Sequence, residues 1–179
     1  AMSYAGDDSA VKDMEQLSES LPAPNALVHR RLSILDLSPK GHQPMRHRDR
    51  EIYLTFNGEI YNFQELREQY KLPTVTGTDT EVILLLYAKI GEEAFSKFRG
   101  MWALAILDLE KNKLVLSRDR FGIKPLYFTE KNGGLAFSSE VKPLLSLPGV
   151  KPEWERDKLL QFLVYGATED PCETLFKGI

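Results

Sequence analysis

Asn57 and Gly58 close a run of alternating residues, Ile52-Tyr53-Leu54-Thr55-Phe56. A strand ending in Asn-Gly places a side-chain amide donor beside a backbone N–H that nothing shields. Two such donors aimed at one point are what the oxyanion of a tetrahedral acyl-transfer intermediate requires. Taken alone, Asn57-Gly58 reads first as a turn. Arg31 lies in His29-Arg30-Arg31-Leu32-Ser33-Ile34-Leu35-Asp36, where a guanidinium at a strand end can grip a carboxylate through two parallel hydrogen bonds. The backbone groups of Leu32, Ser33, Ile34 and Leu35 would then face a small polar ligand along the strand edge. An exposed arginine on an edge strand accounts for the same residues. Asp79, at the start of a helix, suits an ammonium group, and equally suits the positive end of its own helix. Taken together, an arginine, an aspartate and an Asn-Gly oxyanion site suit a free amino acid with a side-chain acyl group. Glutamine fits that description.

The elements that must position these residues are legible in outline. Residues 8–20 carry Val11, Met14 and Leu17 at helical spacing, and Leu21-Pro22-Ala23-Pro24 ends that helix. Ala26 to Ile34 reads as a strand, and Gly41 to Pro44 as a turn. Asn62-Phe63-Gln64-Glu65 and Thr78-Asp79-Thr80-Glu81 are capping-box signals, opening helices through Tyr70 and through a face of Val82, Leu85, Leu86 and Ile90. A short helix follows over Glu92 to Phe98. Strands are expected over 101–109, 113–118, 126–129 and 134–138, joined by hairpin turns, with helices over 140–147 and 153–165. Grouped strands and hairpins argue for an α+β fold with antiparallel sheets.

The chain has 179 residues, 42% hydrophobic and 27% charged, with a net charge of -3. That is ordinary for a globular domain and gives no electrostatic reason to expect nucleic acid or an anionic membrane as partner. No apolar run approaches the roughly 20 residues needed to cross a bilayer. The single cysteine, Cys172, forbids an internal disulfide and points to a reducing, cytoplasmic setting. His29, His42 and His47 match no metal-ligand spacing, so no metal is expected.

Several passages, in order, resemble the glutaminase domain of class II glutamine amidotransferases, and among those the asparagine synthetases. They are His29 to Asp36, Gly41-His42-Gln43-Pro44-Met45, Phe56-Asn57-Gly58-Glu59-Ile60-Tyr61-Asn62, Thr76 to Glu81, Phe98-Arg99-Gly100-Met101-Trp102-Ala103, Arg118 to Tyr127, and Ser138 to Lys142. The resemblance covers about residues 26–150. It implies an Ntn-hydrolase fold, a four-layer αββα sandwich with two antiparallel sheets. It further implies that Arg31 binds the α-carboxylate of L-glutamine and that Leu32, Ser33, Ile34 and Leu35 line the site. Asn57 and Gly58 would form the oxyanion hole, and Glu59 and Asp79 would hold the α-amino group. Arg118 and Asp119 read as a polar network that supports the fold. The amidotransferase domain is expected over 1–165, with 166–179 a connector to a C-terminal synthetase domain, and a homodimer is compatible with this reading. ATP and magnesium are expected only in that synthetase domain, because the chain has neither a Ser-Gly-Gly-x-Asp-Ser nor a Gly-x-x-x-x-Gly-Lys loop.

The family mechanism uses an N-terminal cysteine whose own amine is the base. This sequence opens Ala1-Met2-Ser3-Tyr4, and it lacks the family's His-Arg-Gly-Pro-Asp loop before Ala26. Cys172, in the tail, reads as an incidental thiol. The two gaps suggest one cause: a segment omitted from this sequence, trimmed from it, or naturally lost as in β-lactam-forming relatives. The retained recognition motifs favour the first. The rival readings are a non-catalytic pseudo-amidotransferase or scaffold, and the amidotransferase domain of another class II enzyme.

Overall fold

The computed structural model describes residues 25–30, 41–131, 133–168 and 173–179. The expected helix over 8–20, residues 31–34 of the expected strand over Ala26–Ile34 and Cys172 lie outside them, and residues 25–30 carry no regular structure, so the described part of that strand is not formed. The chain divides into two compact units, Ala1–Lys124 and Pro125–Ile179.

The first unit holds a four-stranded antiparallel sheet in the order β1-β2-β3-β4. Its strands are β1 (Met45–Arg46), β2 (Ile52–Ile60), β3 (Gly100–Asp108) and β4 (Lys113–Arg118). Pairing of β2 with β3 is unbroken, from Ile52↔Asp108 to Ile60↔Gly100. With no bulge to reset the period, side chains alternate strictly between faces. Ile52, Leu54, Phe56 and Ile60 share one face, together with Leu104 and Ile106, and all are buried.

That face packs on α2 (Asp79–Ile90), which buries Val82, Ile83, Leu84, Leu86 and Tyr87. The expected stripe of Val82, Leu85, Leu86 and Ile90 is half right: Leu85 and Ile90 are only partly buried. The difference arises because α1 (Phe63–Gln69) covers a second side of α2, so a single-face pattern no longer applies. Thr78 caps α2 as expected, its Oγ1 accepting from Glu81 N at 3.2 Å. Asn62 does not cap α1. Its side chain instead donates to Lys97 O at 3.0 Å and accepts from Arg99 N at 2.9 Å. A buried amide that finds two backbone partners across the fold outcompetes a local cap. The short helix after α2 is a 3-10 helix, Gly91–Lys97.

Two glycines let β2 and β3 approach. A Cβ on Gly100 would stand 2.1 Å from the carbonyl oxygen of Glu59, and one on Gly58 would stand 2.2 Å from that of Met101. After β4 the chain turns around Asp119, which is buried. Its carboxylate accepts from the N–H groups of Phe121, Ile123 and Lys124 at 3.0 Å and of Trp102 at 3.3 Å. Arg118 closes the same loop through Nε to Lys124 O at 2.8 Å and through a terminal nitrogen to Gly122 O at 2.7 Å. Burial pushes the Asp119 carboxyl up, but the N–H groups of Lys124, Ile123, Trp102 and Phe121 together hold it below its ordinary value.

The second unit contains an antiparallel hairpin, β5 (Tyr127–Lys131) with β6 (Gly134–Ser138), then α3 (Val141–Leu145) and α4 (Arg156–Tyr165). Residues 173–179, expected to act as a connector, double back: Glu155 N donates to Leu175 O, Lys177 N donates to Glu153 O, and Trp154 stacks on Phe176. The chain is thus α+β with two antiparallel sheets, as the pattern of strands and hairpins implied.

Gly100→Ala will destabilise the first unit by about 2–3 kcal/mol, because the added methyl meets backbone that cannot rotate away. Gly77→Ala, whose Cβ meets nothing within 4 Å, will stay within about 0.5 kcal/mol of the parent, with both variants measured by urea titration. Asp119→Asn places an NH2 where N–H donors converge and will cost about 1–3 kcal/mol at pH 7. The folded Asp119 pKa lies below its unfolded value, so this contribution is fully present above about pH 4 and fades as pH falls through the folded value. Denaturation curves for the two proteins will therefore converge in acid.

Candidate functional site

The candidate site is built on the outer edge of β2, the side away from β3. In an antiparallel strand the N–H and C=O of one residue point the same way, and successive residues alternate. Three contacts fix which residues of β2 face outward. His47 N donates to Ile52 O at 2.8 Å, Phe56 N donates to Gln43 Oε1 at 2.6 Å, and Ile60 N donates to Asp79 Oδ2 at 3.0 Å. Even-numbered residues therefore present their polar backbone to the edge, and Gly58 is among them. Its partner in the register, Trp102, confirms this from the other side: Trp102 N and O both engage Asp119, beyond β3.

The ladder between β1 and β2 covers only Met45↔Leu54 and Arg46↔Tyr53. Beyond it, Gln43 takes the Phe56 N–H and Asp79 takes the Ile60 N–H. Among the described residues no strand lies opposite Gly58, whose N–H sits between these two capped groups. Asn57 projects from the sheet face opposite the α2 core, in register with Ala103, and its neighbour on that face, Thr55, is in register with Ala105.

Asp79 is the first residue of α2 and is 4% exposed. Its Oδ1 accepts from Thr80 N at 2.8 Å, while Oδ2 reaches across to Ile60. Burial pushes its carboxyl up, the Ile60 and Thr80 N–H groups pull it down, and the Glu59 charge pushes it up again, leaving it above its ordinary value. Glu59 itself is exposed. The loop before Asp79 is held by Glu81, whose buried carboxylate accepts from Val75 N, Thr76 N and Thr76 Oγ1.

Of the residues singled out by sequence, Asn57, Gly58, Glu59 and Asp79 converge at one end of β2. Arg31, Leu32, Ser33, Ile34 and Leu35 lie outside the described residues. Gln43 and Glu81 were not singled out. Glu81 was visible as the last position of a capping box, but its carboxylate satisfies the 75–76 loop rather than the cap. Gln43 carries no spacing signal. Among the described residues no group of three His, Cys, Asp or Glu side chains could hold a metal ion, and no helix is long and apolar enough to cross a membrane.

Residues 13–179 match the glutamine amidotransferase domain family. A putative glutamine-hydrolyzing asparagine synthetase 2 of Methanocaldococcus jannaschii is 43% identical over 161 residues, 81% of this chain and 31% of that protein. The amidase chyE of Penicillium rubens is 38% identical over 155 residues, 86% of this chain and 22% of that protein. The chain thus spans less than a third of the length of either relative. A Bacillus subtilis glutamine phosphoribosylpyrophosphate amidotransferase structure superposes with a TM-score of 0.55 at 22% identity, over 64% of this chain and 27% of that one. That likeness is one of fold, the Ntn-hydrolase fold. The motifs around β2 and α2, and a family match that runs through both units, make this chain a member of the glutamine amidotransferase domain family, homologous to the glutamine-hydrolysing asparagine synthetases.

Proposed function

We propose that this domain binds L-glutamine and, in its full-length protein, releases the side-chain amide as ammonia for an ATP-dependent synthetase domain that converts aspartate to asparagine. The observation that carries the reading is the Gly58 N–H on the outer edge of β2, with no strand opposite it among the described residues, flanked by capped N–H groups and adjacent to the Asn57 amide. Two donors fixed in the strand before any ligand arrives need no reorganisation when negative charge develops on the carbonyl oxygen. Asn57 Nδ2 and Gly58 N would hold that oxyanion.

Arg31 would grip the α-carboxylate of glutamine, with the backbone of Leu32, Ser33, Ile34 and Leu35 along the ligand. Glu59 and Asp79 would hold the α-ammonium. The electrostatics of Asp79 favour this assignment: a buried carboxyl held above its ordinary value gains most from a nearby cation, which stabilises its ionised form. In the family resemblance the attacking group is the thiolate of an N-terminal cysteine, which would form a thioester as ammonia leaves and be freed by water. ATP and magnesium would act in the synthetase domain, since this sequence offers no phosphate-binding loop. Such an enzyme would work in the cytoplasm.

A second reading of the acceptor rests on the likeness to the Penicillium amidase. It keeps glutamine as ligand and changes only the group that receives the nitrogen.

Steady-state glutaminase assays on the full-length protein test the proposal. Asn57→Ala will lower kcat about 10²- to 10³-fold with little change in KM, as expected for loss of one oxyanion donor. Arg31→Ala will raise KM for glutamine, since it removes a contact made equally in the ground state. Activity indifferent to both variants would sink the assignment.

A further inference from the structure

We propose that Gln43 is a positioning residue for the oxyanion site: its side-chain carbonyl holds the Phe56 N–H so that the outer edge of β2, which no strand covers at Gly58 among the described residues, presents the Gly58 N–H to the ligand. The inference rests on the glutamine reading above.

Gln43 and Phe56 are both buried, and Phe56 N stands 2.6 Å from Gln43 Oε1. A backbone N–H can only donate, so the atom facing it is the amide oxygen. The β1–β2 ladder ends at Met45↔Leu54. The next outward N–H of β2 therefore has no strand partner, and burying it unpaired would be costly. Gln43 supplies the acceptor by side chain from the turn before β1. It thereby satisfies Phe56 without continuing the ladder, and a continued ladder would place another strand over Gly58.

On the far side Asp79 does the same for Ile60. Gly58 is thus two residues, about 7 Å, from an anchored N–H in each direction. With the Gln43 acceptor removed, the Phe56 N–H must recruit water or shift toward another acceptor, and either moves the strand just ahead of Asn57 and Gly58. A displacement of about 1 Å at such a site is worth up to about 100-fold in rate. The oxyanion exists in the transition state and not in bound glutamine, so the loss falls on kcat rather than KM.

The test uses full-length protein and glutaminase kinetics with three substitutions. Gln43→Met keeps the length and unbranched shape but removes the oxygen; it will lower kcat about 10- to 100-fold and leave KM within about threefold. Gln43→Glu keeps an acceptor oxygen in either protonation state, and its kcat will stay within about threefold of the parent. In the Asn57→Ala background, Gln43→Met will cost much less than it does alone, because both act on one oxyanion. If Gln43→Met does not fold, the Gln43→Glu result decides: a folded Gln43→Glu enzyme with kcat reduced more than tenfold overturns the role. So does a Gln43→Met enzyme with parental kcat, or one whose effect is fully additive with Asn57→Ala. A parent protein with no glutaminase activity overturns the glutamine reading and this role together, whereas an active parent indifferent to Gln43→Met overturns this role alone.

Discussion

Every N–H on a buried strand edge has to meet an acceptor, and the outer edge of β2 meets that requirement with three different devices. At Leu54 it uses a strand, β1. At Phe56 it uses an amide side chain from a turn, and at Ile60 a carboxylate from the first turn of a helix. The unbroken β2–β3 register fixes which residues need these partners, and the two glycines keep the strands close enough for that register to persist to the end. What distinguishes Gly58 is therefore less its own backbone than the way its neighbours are satisfied. Among the described residues, the site is a gap in the partners along that edge.

Two of the buried aspartates, Asp119 and Asp79, show how much the number of donors decides. Asp119 is wrapped by four N–H groups, and their sum overcomes the burial that opposes ionisation. Asp79 has the Ile60 and Thr80 N–H groups and the positive end of α2, but also the charge of Glu59 nearby, and there burial prevails. The first arrangement is complete, which suits a residue that shapes a loop. The second leaves the Asp79 carboxyl above its ordinary value. Arg118 illustrates the same completeness: its guanidinium is committed to the carbonyls of Gly122 and Lys124.

Hairpin strands were legible because they depend on residues close in sequence. The runs over 113–118 and 134–138 appear as β4 and β6 with their expected bounds. Asn57-Gly58 was legible as chemistry but ambiguous as structure, since Asn-Gly is also a turn signal; it lies inside a nine-residue strand, which excludes the turn. Capping boxes were legible only in part. Thr78 caps because its hydroxyl and the Glu81 N–H lie three residues apart at the start of α2, whereas Asn62 reaches the 97–99 segment more than thirty residues away. Gln43 was illegible for the same reason. Its role depends on where β1 stops against β2, and no local pattern states that.

Fold and sequence likeness carry different weight here. At 22% identity and a TM-score of 0.55, the phosphoribosylpyrophosphate amidotransferase shares a fold with this chain, and a fold can host unrelated chemistries. The glutamine reading depends instead on named groups: an amide and an N–H side by side toward the end of β2, and the carboxylates of Glu59 and Asp79 near them. Those groups are placed by β2 and α2 within the first unit. The acceptor of the nitrogen is a separate matter, because a synthetase and an amidase resemble this chain to nearly the same degree over a third or less of their lengths. Residues that handle glutamine can be shared between such proteins, while those that choose the acceptor need not be, and this sequence speaks only to the former.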